Sequence, residues 1–515
     1  MSHPEQFYPP DRKRQKPFFH YGWIPLTLVL CNSVAGGEFE VRVVDAETNR
    51  PVSVRMSIRN QRGALIKQRG VPYHQGSFCF FGSHTFKLPR GVYSYTIEKG
   101  LEYQTVSGQF EIKREATDGV TVKVPRFTNM SQRGWWSGDL EIYRPDRDVP
   151  VLMDANDLNF AHLTAFDNEG VRFKDGFPAE TRTRVNDSML YSKSGITDSR
   201  YGGGLVLVGL GREIPLPKPK TLFPVTPDLN GTKPDLIFLN NASNWETPFH
   251  LANLGKENAI DAIAIAGDAV SMVTTRKKRV DLRPPDSSVS GDHPLAAWQT
   301  RIYYHALNCG FRIPPVACSG SGRSANPVGY NRVYVHTGQD FSYQKWITNL
   351  KKGRVIVTNG PVMNVLFNGV LPGETIQIAD GSSCEVETSL TLSLKEKAEY
   401  LEIIRNGLVA EKISLDEYAK ARGRLPKLTF HKSGWMLVRV VTRNRNAYRF
   451  ATSGPIYIQI GDQAICKKTS AQFFLDWIVE RGRMIRASSA EDKLEALEQL
   501  RDGFDFWKEM VARGD

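Results

Sequence analysis

The feature that most limits the fold is a series of short apolar runs between residues 126 and 350. Leu163-Thr-Ala-Phe166, Gly204-Leu-Val-Leu-Val208, Asp235-Leu-Ile-Phe-Leu239 and Ala262-Ile-Ala-Ile-Ala266 follow one another, separated by polar loops or helical stretches. Four or five apolar residues without alternation read as a strand covered on both faces, so an α/β or barrel-like module is expected here. The aromatic-rich segment 298–307 has the spacing of a core-packing helix.

The flanks carry a different period. Residues 38–45 and 52–58 alternate apolar and polar, with a turn at 46–51, and strands are expected again at 86–97 and 120–124. Residues 38–125 therefore form an all-β module. Strand patterns return at 354–358, 365–369, 390–394, 400–404, 435–441 and 455–458, which makes 351–468 a second β-sandwich by count and spacing. The tail, 469–515, is helical: Thr469 or Ser470 caps one helix, and Ser488-x-x-Glu491 is a capping box for a second. Phe473, Phe474, Trp477, Phe504 and Trp507 would form its packing face. The expected fold is multidomain, α/β plus all-β, and a length of 515 residues suits three or four domains.

The first 37 residues read as a cleaved signal peptide. Basic residues 12–16 precede the apolar run 23–30, and small residues Ser33, Ala35, Gly36 and Gly37 follow. The run is interrupted by Pro25 and falls short of the roughly 20 apolar residues a spanning helix needs, so no transmembrane segment is expected in the mature chain. Localisation would be secreted or periplasmic. Loss of Cys31 leaves five scattered cysteines without zinc-ribbon spacing; Cys309 and Cys318 are close enough in sequence to bridge, but free thiols are expected. A net charge of +12 suits an acidic partner, such as an anionic glycan. The two basic runs, 12–16 and 276–279, lack interleaved aromatics, which argues against nucleic acid.

Two resemblances follow. The strand succession of 38–125, with its Leu88-Pro-Arg-Gly-Val-Tyr93 turn, resembles the transthyretin-like, carboxypeptidase regulatory-like β-sandwich. Gly134-Trp-Trp-Ser-Gly-Asp139-Leu140, Leu307-Asn-Cys-Gly-Phe-Arg-Ile-Pro-Pro315, Asn326-Pro-Val-Gly-Tyr-Asn-Arg332 and Val357-Thr-Asn-Gly-Pro361 resemble motifs of CehA/McbA-type metallohydrolases. These belong to the polymerase-and-histidinol-phosphatase (PHP) superfamily. The resemblance covers residues 130–375 and implies a distorted β/α barrel with metal ions at the carboxyl ends of its strands, hydrolysing ester-type bonds.

The family's first strand supplies Asp-Leu-His-x-His, since imidazoles at i and i+2 share one face of a strand. This chain has Asp139-Leu140-Glu141-Ile142-Tyr143: the spacing survives and the imidazoles do not. By the same resemblance Asp167 matches an aspartate beside a histidine position now held by Asn168, Glu246 matches the family's glutamate, and Asp268 occupies the Asn-Asn-His element. Glu141, Asp167, Glu246 and Asp268 are thus the metal candidates, with Asp139, Tyr143 and His250 in the pocket. Oxygen ligands favour magnesium, manganese or calcium, weakly held, over zinc or iron.

The remaining histidines read as packing or loop residues: His162 before an apolar strand, His293 in a polar loop, His305 in the aromatic helix and His336 at a strand end. Gly-x-Ser-x-Gly is absent, so Ser319-Gly-Ser-Gly322 is a weak nucleophile loop. Gly202-Gly-Gly204 precedes its strand and reads as a turn, and the four carboxylates pair as in a glycosidase only if their separation permits. Three functions remain. The leading one is a degenerate PHP-like hydrolase homologue that retains ligand binding, with no assigned catalytic residue. The second is an active Mg-, Mn- or Ca-dependent esterase or phosphoesterase. The third is an adhesive protein that binds anionic glycans.

Overall fold

A computed structural model describes residues 36–113, 117–164, 166–167, 170–171, 177–198, 204–212, 214, 231–256, 259–272, 281–291, 293–444, 446–490 and 492–515. Residues 1–35 of the signal-peptide reading, the two basic runs, Asn168, Gly202 and Glu491 lie outside these residues. No helix among the described residues is long and apolar enough to cross a membrane.

Alternation builds the N-terminal sandwich. Phe39, Val41 and Val43 point inward from strand Gly36–Asp45 while Arg42 faces solvent. That strand sits between Ser83–Pro89 and Thr117–Val124. A five-stranded sheet with Ser53–Asn60 at its centre packs against it through Val54, Met56, Ile58, Phe86, Ile97 and Phe110. The strand begins at Gly36, inside the segment assigned to the signal. The 88–93 turn is tied by the Tyr93 hydroxyl, which donates to Pro89 O at 2.9 Å.

The central region is mixed α/β. One sheet runs Arg182–Asn186, Met189–Ser192, Phe160–Leu163, Trp135–Ile142, Arg332–His336; another runs from Gly170–Val171 through Phe166–Asp167, Gly195–Asp198, Leu205–Val208, Leu236–Leu239 and Ala262–Ala266 to Pro315–Ala317. A backbone bridge between Ile142 and Ser321 brings the two sheets together. Three of the four apolar runs form strands buried along their whole length; the run 163–166 does not form one strand, because Leu163 closes Phe160–Leu163 in one sheet and Phe166 opens Phe166–Asp167 in the other. Helix Pro294–Asn308 starts on a proline, whose missing N–H costs nothing in the first turn, and buries Trp298, Ile302 and Ala306.

The downstream β-rich region is not set apart from this core. Strand Val355–Thr358 pairs antiparallel with Arg332–His336 on one side and Phe450–Ser453 on the other. One sheet therefore passes from the central module into Gly434–Thr442, Ala398–Arg405 and Leu408–Ile413. Two short sheets, Val362–Phe367 with Thr388–Ser393 and Cys384–Val386 with Leu428–Phe430, share its core through Val365, Phe367, Leu401, Ile403, Val438 and Val440.

Helices Lys468–Ala487 and Lys493–Arg513 fold back onto the central module. Trp507 Nε1 donates to Pro248 O at 2.8 Å, and Phe474 stacks on Trp507 with ring centroids 4.6 Å apart. Phe474, Trp477 and Trp507 are buried as the spacing required, whereas Phe504 is exposed. The capping expectations are corrected. The first helix begins after Lys467 without a side-chain cap, and Ser488 closes it, donating from Oγ to Ile485 O, instead of opening the second. All five described cysteines are free thiols.

Candidate functional site

The Trp135–Ile142 strand is locked into place by the residues that gave the motif its signature. Trp135 Nε1 donates to Asn364 Oδ1, Trp136 Nε1 to Gly338 O, and Trp346 Nε1 to Trp136 O, all within 2.9–3.0 Å. Asp139 is fully buried and serves the framework: Oδ1 accepts from Ser319 N at 2.8 Å and Oδ2 from Gly329 N at 2.7 Å. Burial outweighs these bonds and pushes its carboxyl up to about 6. Asn331 gathers the neighbouring loops, donating from Nδ2 to Gly267 O and Val270 O.

Glu141 points to the strand ends, and three donors meet its carboxylate. The Tyr143 hydroxyl donates to Oε1 at 2.5 Å, Thr197 Oγ1 to Oε1 at 3.0 Å, and Asn240 Nδ2 lies 3.3 Å from both oxygens. Glu141 and Thr197 are each 1% exposed. Burial pushes the Glu141 carboxyl up, Asp268 adds to that, and the three donors oppose it. Burial and the adjacent carboxylate together push the Tyr143 phenol well above its ordinary value, so it is a hydrogen-bond donor and not a phenolate ligand. The Arg323 guanidinium covers its ring at 4.3 Å.

The site lies where several strands end: Glu141 near the end of Trp135–Ile142, Thr197 near that of Gly195–Asp198, Asn240 just past Leu236–Leu239 and Asp268 just past Ala262–Ala266. Such ends offer side chains that are not committed to sheet packing. Two glycines permit the close approach. Gly204, at φ +137°, has no room for a Cβ beside Asn240 and Asn244, and at Gly322, φ +103°, a Cβ would lie 2.1 Å from Tyr143 O.

The other expected residues are placed as follows. Asp268 is partly exposed and accepts from Asn241 Nδ2 at 2.8 Å; its charge is felt by Glu141. The Asp167 backbone pairs with Thr197, and its side chain lies outside the described residues. Among the described residues no hydrogen bond joins Glu246 to the Glu141 cluster. Its Oε1 is bound by Arg481 Nε at 2.7 Å and Nη2 at 2.5 Å, from the first C-terminal helix. Burial pushes that carboxyl up and the guanidinium pulls against it. His250 is buried in helix Thr247–Ala252, against Phe249, and burial lowers its imidazole to about 4 despite the charge of Asp198. His162 is buried with neither ring nitrogen hydrogen-bonded among the described residues, and its value falls to about 3. His305 stacks on Phe473 at 4.2 Å and contacts Ser470 Oγ at 3.0 Å.

Among the described side chains the donors do not fit the histidine-built metal centre that the family resemblance implies. Glu141 Oε1 already accepts from a phenol, a hydroxyl and an amide, and Glu246 Oε1 is held by the Arg481 guanidinium. Among the described residues no group of three or more His, Cys, Asp and Glu is placed to hold a metal ion. Sequence reading missed Thr197, Asn240, Asn241 and Arg481. The signal for the asparagines was their place immediately after a fully apolar strand.

Comparisons with protein-family models and with curated proteins give no match. Among solved structures, the Bacillus anthracis TIE protein is similar at 24% identity, over 22% of this chain and 20% of that one, with a TM-score of 0.14. The overlap spans a fifth of that protein's length.

Proposed function

We propose that the chain is an exported, PHP-like protein whose strand-end site binds a small molecule or glycan through hydrogen bonds, in place of a hydrolytic metal centre. The observation that carries this reading is the Glu141 carboxylate held at once by Tyr143, Thr197 and Asn240. A carboxylate offers about four lone-pair sites, and donors at these distances compete directly with a cation. A distorted barrel would explain why residues from strands so far apart in sequence meet at one end; that topology is part of the proposal. The carboxylate-metal hydrolase requires Glu246 to leave Arg481 inside a buried pocket, which costs several kcal/mol.

The test is elemental analysis of the purified chain, before and after incubation with zinc, manganese, magnesium and calcium, alongside an ester and phosphoester panel. Substoichiometric metal and no metal-dependent turnover are expected. A stoichiometric, tightly held metal together with turnover abolished by Glu141→Ala would refute the reading.

A further inference from the structure

The C-terminal helices join the central module at the foot of Pro294–Asn308, and a pair of cysteines lies in that joint. Segment 465–467 runs past segment 308–310 in the opposite direction. Lys467 N donates to Asn308 O at 2.9 Å, and a Cβ added at Gly310 would lie 2.5 Å from Ile465 O. Cys309 and Cys466 are the residues between those two contacts. Cys309 closes helix Pro294–Asn308 and is 4% exposed, whereas Cys466, just ahead of Lys468–Ala487, is half-buried. Cys466 Sγ lies 3.5 Å from Met510 O, and the Cys466 carbonyl accepts from Asp515 N at 3.1 Å, so the second helix also grips this segment. Burial pushes both thiols above their ordinary value, and Cys309 feels the charge of Cys466 as well. Cys318, which the sequence offers as another partner for Cys309, turns instead toward Asn240 O, at 3.7 Å.

A disulfide needs Cα atoms about 4.4–6.8 Å apart. Main-chain contact on each side of the pair holds the two segments at that order of separation. We propose that Cys309 and Cys466 form a disulfide that fastens the C-terminal helices to the central module when the chain meets a disulfide oxidant. The step is an exchange. The Cys466 thiolate attacks one sulfur of the oxidant, a first thiol leaves, and a mixed disulfide remains on Cys466. Cys309, once deprotonated, attacks the Cys466 sulfur and expels the second thiol. Two protein thiols become one disulfide, the oxidant is reduced to two thiols, and the two protons pass to those leaving groups. The bridge would close a loop of roughly 160 residues, and the stabilisation from a cross-link grows with loop length. It stands at the start of the helix that carries Arg481, so it also ties down the guanidinium that holds Glu246. None of this depends on what the Glu141 cluster binds.

The test uses the full chain, purified reduced and then exposed, still folded, to oxidised glutathione at about pH 8, near the ordinary thiol value. Remaining thiols are alkylated after unfolding, and peptides are mapped by mass spectrometry without reduction. A cross-linked peptide containing Cys309 and Cys466 is expected in most molecules, with Cys79, Cys318 and Cys384 alkylated. Cys309→Ser should stop at a glutathione adduct on Cys466. Cys466→Ser should leave Cys309 unoxidised, because that thiol is buried. Should Cys309→Ser fail to fold, Cys309→Ala keeps a small apolar side chain there and gives the same readout. Oxidised wild type should melt about 2–5 °C above its reduced form, a difference absent in Cys466→Ser. A glutathione adduct on Cys466 that never resolves in the wild type would overturn the proposal. So would a bridge from either cysteine to another partner, failure of both to oxidise, or equal Tm for the oxidised and reduced forms.

Discussion

The Tyr143 hydroxyl lies 2.5 Å from the Glu141 carboxylate, two residues back along the same edge of the chain. Residues at i and i+2 share a face of a strand, so a spacing that suits two ligands of one ion also brings a phenol onto a carboxylate. Removing the phenol leaves a buried acceptor with one donor fewer. Tyr143→Phe should therefore cost about 1–3 kcal/mol in urea denaturation. Wild-type stability would show that this contact is dispensable.

Arg481 and Glu246 are separated by 235 positions and pair in the interior. Arg481→Met strands a buried carboxylate, for an expected loss of about 3–5 kcal/mol. Adding Glu246→Gln should restore most of it, because the charge that needed a partner is then gone. Chemical denaturation of the two variants checks this, and a double variant no more stable than Arg481→Met would contradict it.

His162 supplies a pH dependence of known sign. Its folded value of about 3 lies below the ordinary 6.5, so the native state refuses a proton that the unfolded chain accepts. Stability from this group is complete above about pH 6.5 and is lost as pH falls toward 3. His162→Leu should flatten the acid limb of the stability curve between about pH 7 and pH 4. A limb as steep as that of the wild type would mean other groups set it.

Asp139 acts in the opposite sense. Its folded value of about 6 exceeds the ordinary carboxylate value, so the native state holds the proton more tightly. Its contribution is greatest below about pH 4 and is lost as pH rises to 6, an amount on the order of 3 kcal/mol. Asp139→Asn should remove that decline, read from denaturation midpoints across the interval.

Much of the architecture was legible where one period dominates. Three of the four apolar runs gave buried strands, and the spacing of Trp298, Ile302 and Ala306 gave a buried helix. Tyr143 and Glu141 could be placed together because strand geometry alone decides it. Thr197, Asn240 and Asn241 could not, since a hydroxyl within a strand or an amide just past one carries no periodic signature, and Thr197 and the asparagine pair arrive from separate segments. The Arg481 contact depends on how a distant helix docks. Ser488 has the composition of a helix start, yet it follows Ile485 closely enough to close the preceding helix.

The pairing of Val355–Thr358 with both Arg332–His336 and Phe450–Ser453 has a consequence for how this chain can be divided. Truncation at residue 350 would bare a row of unpaired amides and carbonyls along Arg332–His336, an adhesive edge that invites other chains to stack on it. The last third of the protein is no detachable cassette; it is the seal on an otherwise open seam, and the two halves must be inherited, expressed and engineered together.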